Sequence, residues 1–385
     1  MRLHGFVSVP VEATNVLGAV AKVMAGHKKI RNASALTRFL SMKSPCCEGA
    51  IVMYSLTPSH NGETSMMRHS LQRCLNVFVI GLFCASTLTA AQRTFVSAAN
   101  GNDANPCTPT LPCRSFAAAI TLTDADGEVI VLDSGGYGAV TITQPVSIIS
   151  PTGVYAGITV FSGNGITVNA GDTAHVVLKN LMLSSFGGYS GIQAQTVAHL
   201  YIDSCEIAGF SHAGVEFDPL TTGARLDMTH TVVRRSGNSG IRISGGTGIL
   251  AAIESTQLIE NNPFGIFVQF ADALITRTEV SGASGTGFFA YTGSRVTVES
   301  SAATKNVFGF YASGGMMTMT RCTSTFNSYG LQAAASGALY VSDSTVTGND
   351  TGIITSTGGV VVSRSDNTVQ SNTSNGAFSG TYSAQ

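Results

Sequence analysis

Two carboxylates stand close together near the middle of the chain. Glu216 and Asp218 are separated by one residue, and Arg242 follows later. On a β-strand such a pair shares one face, with the carboxyl groups about 6–7 Å apart. Inverting glycosidases hold a general acid and a general base about 6.5–9.5 Å apart, so this pair lies near the lower limit. A neighbouring Arg242 would keep both carboxyls ionised, which opposes the role of general acid.

Amide side chains come before these carboxylates and aromatic side chains come after them. The residues that we predict to contact a ligand are Gln193, Gln195, Phe267, Gln269, Phe289, Tyr291 and Tyr311. Flat rings stack on the apolar faces of sugars, while amides and carboxylates bond to hydroxyl groups. Two other interpretations stay open: aromatic ladders stabilise adjacent parallel strands by stacking, or the surface contacts another protein.

A sequence repeat must position these side chains. A Gly followed by a large apolar residue recurs at steps of 21 to 26 residues. The pairs are Gly165-Ile166, Gly191-Ile192, Gly214-Val215, Gly240-Ile241, Gly265-Ile266, Gly287-Phe288, Gly309-Phe310, Gly330-Leu331 and Gly352-Ile353. Short alternating segments such as Val296–Glu299 add a second strand to each unit. A short and nearly constant unit without helical periodicity predicts a solenoid, because a propeller blade needs about 40 residues.

Alternation within the unit assigns side chains to two sides of a strand. The residue after each Gly would point inward, and the next residue would point outward. Bulky Phe288 and Phe310 are followed two residues later by Ala290 and Ala312, which is the volume compensation that a close-packed interior requires. The predicted outward column contains Thr167, Gln193, Glu216, Arg242, Phe267, Phe289, Tyr311, Gln332 and Ile354.

Two further sets of residues recur at the turns. Asn262, Asn306, Asn327 and Asn349 each precede the repeat Gly by three positions. We predict that their amides bond to neighbouring backbone, rather than forming a ladder of ligands. A column of small residues is predicted to fill a tight inward turn: Cys205, Thr231, Thr256, Thr278, Ser301, Cys322, Ser344 and Ser365.

The repeats, the Asn-x-x-Gly-apolar turns and an export signal resemble secreted right-handed parallel β-helix repeat proteins of the pectate-lyase-like superfamily. The resemblance covers roughly residues 93–385. It implies an all-β fold, a right-handed parallel β-helix (solenoid), and we add a short N-terminal capping helix at Ser115–Ile120. The superfamily includes lyases, hydrolases, adhesins and surface proteins, so the resemblance selects a fold and not an activity.

The same resemblance indicates which catalytic residues an enzyme of this superfamily would need. Pectate lyases gather acidic residues around calcium and use an Arg, and Glu216, Asp218 and Arg242 are a reduced version of that set. The polygalacturonase motifs Asn-Thr-Asp, Gly-His-Gly and Arg-Ile-Lys are absent. We expect no cofactor and no metal, with calcium required only if the protein is a lyase.

The N-terminal part differs in charge from the rest. Residues 1–91 carry nine basic and three acidic residues, whereas the remainder carries twelve and nineteen. Residues 66–91 read as a signal peptide, because Arg68 and Arg73 precede the apolar run 75–88 and the small residues Thr89-Ala90-Ala91 follow it. That run is shorter than the roughly 20 residues of a membrane span. Residues 1–65 are interpreted as an upstream extension, disordered or non-native.

Cysteine positions complete the predicted organisation. Cys107 and Cys113 flank a Pro-rich loop and are predicted to form a disulfide, since export permits one. Cys205 and Cys322 would lie about 24 Å apart along the coil, too far for a bond. The predicted segments are an N-terminal cap at 92–128, the β-helix at 129–370 and a C-terminal tail at 371–385.

These observations predict an exported protein that binds polysaccharide or serves at a surface. It would be secreted, periplasmic or held at the cell surface, with a polysaccharide or cell-surface component as partner and no membrane span in the mature chain. Nucleic acid is excluded by the low charge, because only 11% of residues are charged. The alternatives are a carbohydrate-active enzyme, either lyase or hydrolase, and a structural or adhesive protein.

Overall fold

The chain winds into a three-sided coil of parallel strands. The computed structural model describes residues 91–383, which contain 32 strands and one helix, α1 (Phe116–Leu122). Strands of successive coils pair in parallel on each side. One side is a separate sheet of eleven strands, while the other two sides share two long strands and form one sheet of 21 strands. Within these residues, no helix has the length and apolar character needed to cross a bilayer.

The strands of face 1 begin within one residue of the repeat Gly. Its strands are β4 (Val140–Ile142), β11 (Ala213–Phe217), β14 (Ser239–Ile243), β17 (Phe264–Val268), β20 (Thr286–Tyr291), β23 (Phe308–Ser313), β26 (Tyr329–Ala334) and β29 (Thr351–Thr355). Two long strands, β7 (Ile166–Lys179) and β9 (Ile192–Asp203), run through a corner and belong to both face 1 and face 2.

Face 2 follows face 1 along the chain. Its other strands are β1 (Ala91–Val96), β2 (Thr123–Val131), β5 (Val146–Ile149), β12 (Arg225–Thr229), β15 (Ile249–Glu254), β18 (Ala271–Thr276), β21 (Arg295–Glu299), β24 (Met316–Thr320), β27 (Ala338–Ser342), β30 (Val360–Ser363) and β32 (Gly380–Thr381).

Face 3 closes each coil with a short strand. Its members are β3 (Gly135–Gly136), β6 (Ala156–Val160), β8 (Leu181–Ser185), β10 (Glu206–Ala208), β13 (Val232–Arg234), β16 (Gln257–Ile259), β19 (Glu279–Ser281), β22 (Ala302–Thr304), β25 (Thr323–Thr325), β28 (Thr345–Thr347) and β31 (Thr368–Gln370).

The predicted inward column is confirmed by the register of face 1. Ile241 pairs with Ile266, Ile266 with Phe288, and Phe288 with Phe310, and all four side chains are fully buried. The rings of Phe288 and Phe310 stack with their centroids 4.7 Å apart. Apolar side chains from all three faces meet inside the coil, so the hydrophobic core extends along its whole length.

The asparagine turns form a buried ladder. The side-chain oxygen of Asn327 accepts from the backbone N–H of Asn306, and the oxygen of Asn349 accepts from that of Asn327, each at 2.9 Å. The bonding to neighbouring backbone is therefore confirmed for these turns. The prediction for Asn262 is wrong: Asn261 occupies the ladder position, while Asn262 is exposed before Pro263.

The column of small residues is confirmed up to Ser344, with one error at its end. The backbone N–H of Cys205 donates to Thr231 Oγ1, and that of Cys322 donates to Ser344 Oγ, so these side chains lie in successive coils. Ser365 does not continue the column. The N–H of Ser344 donates to Asn367 instead, because the last corner is one residue longer than the one before it.

The cysteine predictions are confirmed for the described residues. Cys107 and Cys113 form a disulfide with their Cα atoms 4.6 Å apart. Cys205 and Cys322 are free and buried, and burial raises the pKa of the two thiols to about 12 and about 11. Both thiols therefore stay protonated and pack as small apolar groups.

Helix α1 lies beside the first coil. Ser115 is its N-cap, and the Ser115 hydroxyl accepts from the N–H of Ala118, so the helix begins one residue later and ends two residues later than predicted. Phe116 packs against Tyr137 with a centroid distance of 5.1 Å. A short helix is thus present, while its role as a cap stays a prediction. The upstream extension 1–65 and the signal peptide, apart from Ala91, lie outside the described residues.

Candidate functional site

The outward column of face 1 runs without interruption along the coil. Each member pairs with its equivalent in the next coil, so neighbouring side chains in the column stand about 4.8 Å apart. Pairing extends the predicted column by one residue at its N-terminal end, to Thr141. Its members are Thr141, Thr167, Gln193, Glu216, Arg242, Phe267, Phe289, Tyr311, Gln332 and Ile354.

Glu216 is the centre of a hydrogen-bonded cluster. Its side-chain Oε2 accepts from the Ser190 hydroxyl at 2.8 Å and from the Gln193 amide at 3.1 Å, and it lies 3.5 Å from His212 Nδ1. Only 8% of Glu216 is exposed. A carboxylate at such a position requires polar partners, and this cluster supplies them from the preceding coil and from the coil of Glu216 itself.

Asparagine and glutamine side chains extend this cluster toward the N-terminal coils. The Asn164 amide donates to Gln193 Oε1 at 2.8 Å, and its oxygen accepts from the N–H of Ser190. The Gln195 amide also donates to Gln193 Oε1, at 3.2 Å. We name the set Asn164, Ser190, Gln193, Gln195, His212 and Glu216 the polar network. Sequence reasoning identified three of its six members.

The predicted catalytic trio does not come together. Glu216 and Arg242 are register neighbours, yet they form no salt bridge, because the Glu216 oxygen is occupied by Ser190 and Gln193. The Arg242 guanidinium lies over the Phe267 ring instead, 4.9 Å from its centroid. Asp218 lies beyond the end of β11 and is exposed, and its carboxylate has no hydrogen-bond or salt-bridge partner within residues 91–383.

The predicted exposed aromatic strip is largely buried. Only 6% of Phe267 and 8% of Phe289 is accessible, because Phe264 and other neighbouring rings pack against them. The aromatic cluster contains three rings that were not predicted, Phe264, Phe308 and Tyr329: Phe308 contacts Tyr311, and Tyr329 stacks on Phe308. These three rings stand just before the repeat Gly, three positions before the outward column, where strict alternation would point inward, so the period of two could not have identified them.

This aromatic cluster stacks from coil to coil. Phe289 and Tyr311 lie 4.9 Å apart at 16°, and Tyr291 contacts Phe267 and Phe289. Tyr291 and Tyr311 keep part of their rings accessible, and Gln269 is half-buried beside them. The inner rings thus stabilise the strands, while the outer tyrosines remain available for contact.

Exposed rings occur at the corner between face 3 and face 1, where sequence reasoning did not place them. Phe161 and Phe186 are both 72% exposed and lie 6.0 Å apart in adjacent coils. Tyr189 is 48% exposed and stacks on His212 at 4.5 Å with nearly parallel planes. We name Phe161, Phe186 and Tyr189 the corner rings. Through His212, Tyr189 connects them directly to the polar network.

The N-terminal end of face 1 contains a hollow of about 410 Å³ beside helix α1. Ala117 and Thr121 of the helix line one side, while Thr141 and Thr167 of the outward column line the other. Asn164 also lines it and at the same time donates to Gln193. The hollow and the polar network therefore adjoin each other.

Face 2 carries a separate polar pair. His199 Nε2 and Asp227 Oδ2 are 2.7 Å apart, and the Tyr201 ring packs 3.7 Å from that of His199. Burial lowers the pKa of His199, and the bond to Asp227 opposes this only in part. In the described part of the chain, no group of three or more His, Cys, Asp or Glu side chains is arranged to hold a metal ion.

Comparisons with known proteins concern the fold. Residues 220–374 match the family model described as the right handed beta helix region. The crystal structure of pectate lyase Pel9A is 14% identical, with a TM-score of 0.48 and coverage of 76% of this chain and 80% of that chain. The GH136 lacto-N-biosidase from Eubacterium ramulus is 11% identical, with a TM-score of 0.42 and coverage of 76% and 67%.

A Dettilon tailspike protein is more distant, at 12% identity and a TM-score of 0.27 over 76% of this chain and 68% of that chain. No curated protein matches the chain significantly. The family match and the observed register agree on one architecture along the described chain. The described residues therefore form a right-handed parallel β-helix, and residues 220–374 carry the match to the right handed beta helix region.

Proposed function

We propose that face 1 binds a glycan, with the polar network as the hydrogen-bonding centre and the corner rings as a stacking surface. One observation carries the proposal: Tyr189, an exposed ring, stacks on His212, which lies 3.5 Å from the buried carboxylate of Glu216. Sugars present hydroxyl groups beside apolar ring faces. Polar groups and exposed rings in adjoining positions match both parts of such a ligand.

The corner rings favour binding over a purely structural role. Stacking between strands accounts for Phe267 and Phe289, which are buried by their neighbours. It does not account for Phe161 and Phe186, because most of each ring is exposed to water. Contiguous exposed apolar groups mark interaction sites more often than scattered ones do.

The arrangement supports binding more than catalysis. A lyase or hydrolase would need Asp218 or Arg242 to act together with Glu216, and neither contacts its carboxylate. We therefore propose a binding or surface protein that requires no cofactor. Calcium would enter only if the protein proved to be a lyase.

We also propose that the protein is exported. The Cys107–Cys113 disulfide is compatible with an oxidising compartment. Residues 66–91 would act as the signal peptide, and the mature protein would be periplasmic, secreted or held at the cell surface. A polysaccharide or another cell-surface component would then be within reach of face 1.

The test is a binding panel of polysaccharides with protein purified from cells that express the full chain. Phe186→Ala with Tyr189→Ala removes two corner rings, and Glu216→Gln alters the centre of the polar network. Phe326→Ala is the matched control, since Phe326 is also an exposed ring at a turn between face 3 and face 1. We expect at least a tenfold loss of affinity in the first two variants and none in the control. Unchanged affinity in both site variants would contradict the proposal.

A further inference from the structure

Helix α1 obstructs one end of the outward column. The column continues from Glu216 through Gln193 and Thr167 to Thr141, which is the last register partner on face 1. Beside Thr141 the exposed side of the helix, with Ala117 and Thr121, forms the opposite wall of the hollow. At the other end of the described column, Gln332 and Ile354 are half-buried, and no helix lies there among the described residues.

The hollow has the size and lining for one end of a sugar chain. Its volume of about 410 Å³ lies within the range of roughly 300–1,000 Å³ that is usual for small-molecule pockets. The strand side contributes hydroxyl and amide groups beside apolar ones, and the helix contributes two apolar side chains and one hydroxyl. The residues concerned are Ala117, Ile120, Thr121, Thr141, Asn164 and Thr167.

Asn164 connects the hollow with the polar network. Its amide donates to Gln193 Oε1 at 2.8 Å and lies 3.3 Å from Thr167 Oγ1, while its own oxygen accepts from the N–H of Ser190. Three bonds fix the orientation of this side chain, so a ligand in the hollow would meet a pre-positioned amide. A glycan that continued from there would pass over Gln193 and Glu216.

We propose that face 1 recognises the end of a glycan chain, with the terminal sugar seated in the hollow against helix α1. This inference rests on the proposed function, because it assumes that a glycan lies along the outward column. It adds a direction and a selectivity: chain ends bind and chain interiors do not. An interior segment would have to pass through the helix to occupy the same position.

The test compares intact polysaccharides with partially hydrolysed samples of equal mass. Amylose, cellulose, chitin, xylan and pectate serve as probes. Hydrolysis creates more chain ends without adding sugar, so we expect the binding capacity per unit mass to rise in proportion to the number of ends. A capacity that stays constant or falls would overturn the proposal of end recognition while leaving glycan binding intact. Absence of binding to every intact and hydrolysed probe would overturn the proposed function itself.

Variants that fill the hollow give a second measurement. Ala117→Trp and Thr121→Trp each place a large ring in it from an exposed helix position. Leu274→Trp is the control, because it fills a hollow of about 420 Å³ on face 2. We expect both helix variants to lose at least tenfold in affinity for hydrolysed chains, and the control to keep wild-type affinity. Wild-type affinity in both correctly folded helix variants would contradict the inference.

Discussion

At the scale of single residues, buried polar side chains of this protein find their partners in the neighbouring coil. Asn327 shows the pattern: its amide nitrogen donates to the carbonyl of Ala303 at 3.0 Å, and its oxygen accepts from the N–H of Asn306. One side chain thus joins its own coil to two points of the preceding coil. The corner backbone would otherwise carry unpaired groups away from water.

Replacing Asn327 by Ala should therefore destabilise the fold. The change leaves the N–H of Asn306 and the carbonyl of Ala303 without these partners, at a cost of about 2–4 kcal/mol. Denaturant unfolding of the two proteins measures the difference. Asn262→Ala, one position outside the ladder in its own coil, should cost much less, and an equal cost for both would contradict the ladder.

Asp133 makes the stability of the folded protein depend on pH in the acidic range. Burial by itself would raise the pKa of Asp133, but hydrogen bonds from Ser97, Tyr137, Ala98 and Ala99 outweigh this and lower the pKa to about 2. The unfolded carboxyl has a pKa of about 3.9. A lowered folded pKa stabilises the protein above the unfolded pKa, and this contribution is lost as the pH falls toward the folded pKa.

Between about pH 5 and pH 2, wild-type protein should lose about 1 kcal/mol more stability than Asp133→Asn, after allowance for solvent screening. Urea unfolding at a series of pH values measures both proteins. The variant shares every other carboxylate, so the difference isolates Asp133. Parallel stability curves for the two proteins across this range would show that Asp133 is not responsible.

Single residues also mark where sequence reasoning stops. Spacing placed Gln193 and Glu216 in the same outward column, because register follows from the repeat. It could not reveal that Ser190, from the preceding turn, would occupy the Glu216 oxygen and leave Arg242 to the Phe267 ring. These hydrogen-bond partners depend on the orientation of side chains at the corners. The two-residue alternation of a strand does not extend into a corner, so it cannot predict them.

At the scale of strands, the alternation of face 1 fixes which side chains meet. Phe288 and Phe310 stack inside the coil at 4.7 Å, and each is followed by a buried Ala, at Ala290 and Ala312. Large and small side chains alternate across the interior, so close packing restricts the size of the residue that each position accepts. This part of the fold could be predicted, since only residue type and spacing enter the argument.

Phe310→Ala should cost about 3–5 kcal/mol, because it removes a buried ring and leaves a cavity beneath Phe288. Thermal or denaturant unfolding measures the loss. Phe326→Ala is the matched control, since it removes an exposed ring one coil further along. A loss below about 1 kcal/mol in Phe310→Ala would contradict the inward position of this ring.

The outer rings show the limit of the same reasoning. Alternation predicted correctly that Phe267 and Phe289 leave the core, but it does not say whether an outward side chain is exposed. Phe264, just before the repeat Gly of its strand, packs against both inner rings, and Phe308 packs against Tyr311. The exposure of an outward side chain depends on its neighbours along the same strand and on the adjacent strands. The positions of those neighbours must be known before the exposure can be predicted.

At the scale of the whole molecule, each coil contacts only its neighbours, so stability is spread along the coil and the last turn needs cover. Residues 371–383 supply contacts there. The N–H of Ser379 donates to the carbonyl of Val361, the N–H of Tyr382 donates to that of Ser363, and Phe378 packs against the core.

Removal of residues 371–385 should therefore expose the final coil and weaken it more than the earlier ones. We expect hydrogen exchange to accelerate by at least tenfold in β29 and β30, and to change little in β11 and β14. Mass spectrometry of the exchanged protein measures both regions. Equal acceleration along the coil would show that the molecule unfolds as one unit, and no acceleration would show that the tail is dispensable.

The most direct test of the glycan proposal is to map where a bound glycan protects the protein. Hydrogen exchange is measured with and without the polysaccharide that binds best in the panel. The account predicts protection in peptides that span 186–195 and 212–217, which contain the corner turns and the polar network, with faces 2 and 3 unchanged. Protection confined to face 2 or face 3, or absent from the network peptides at saturating glycan, would contradict it.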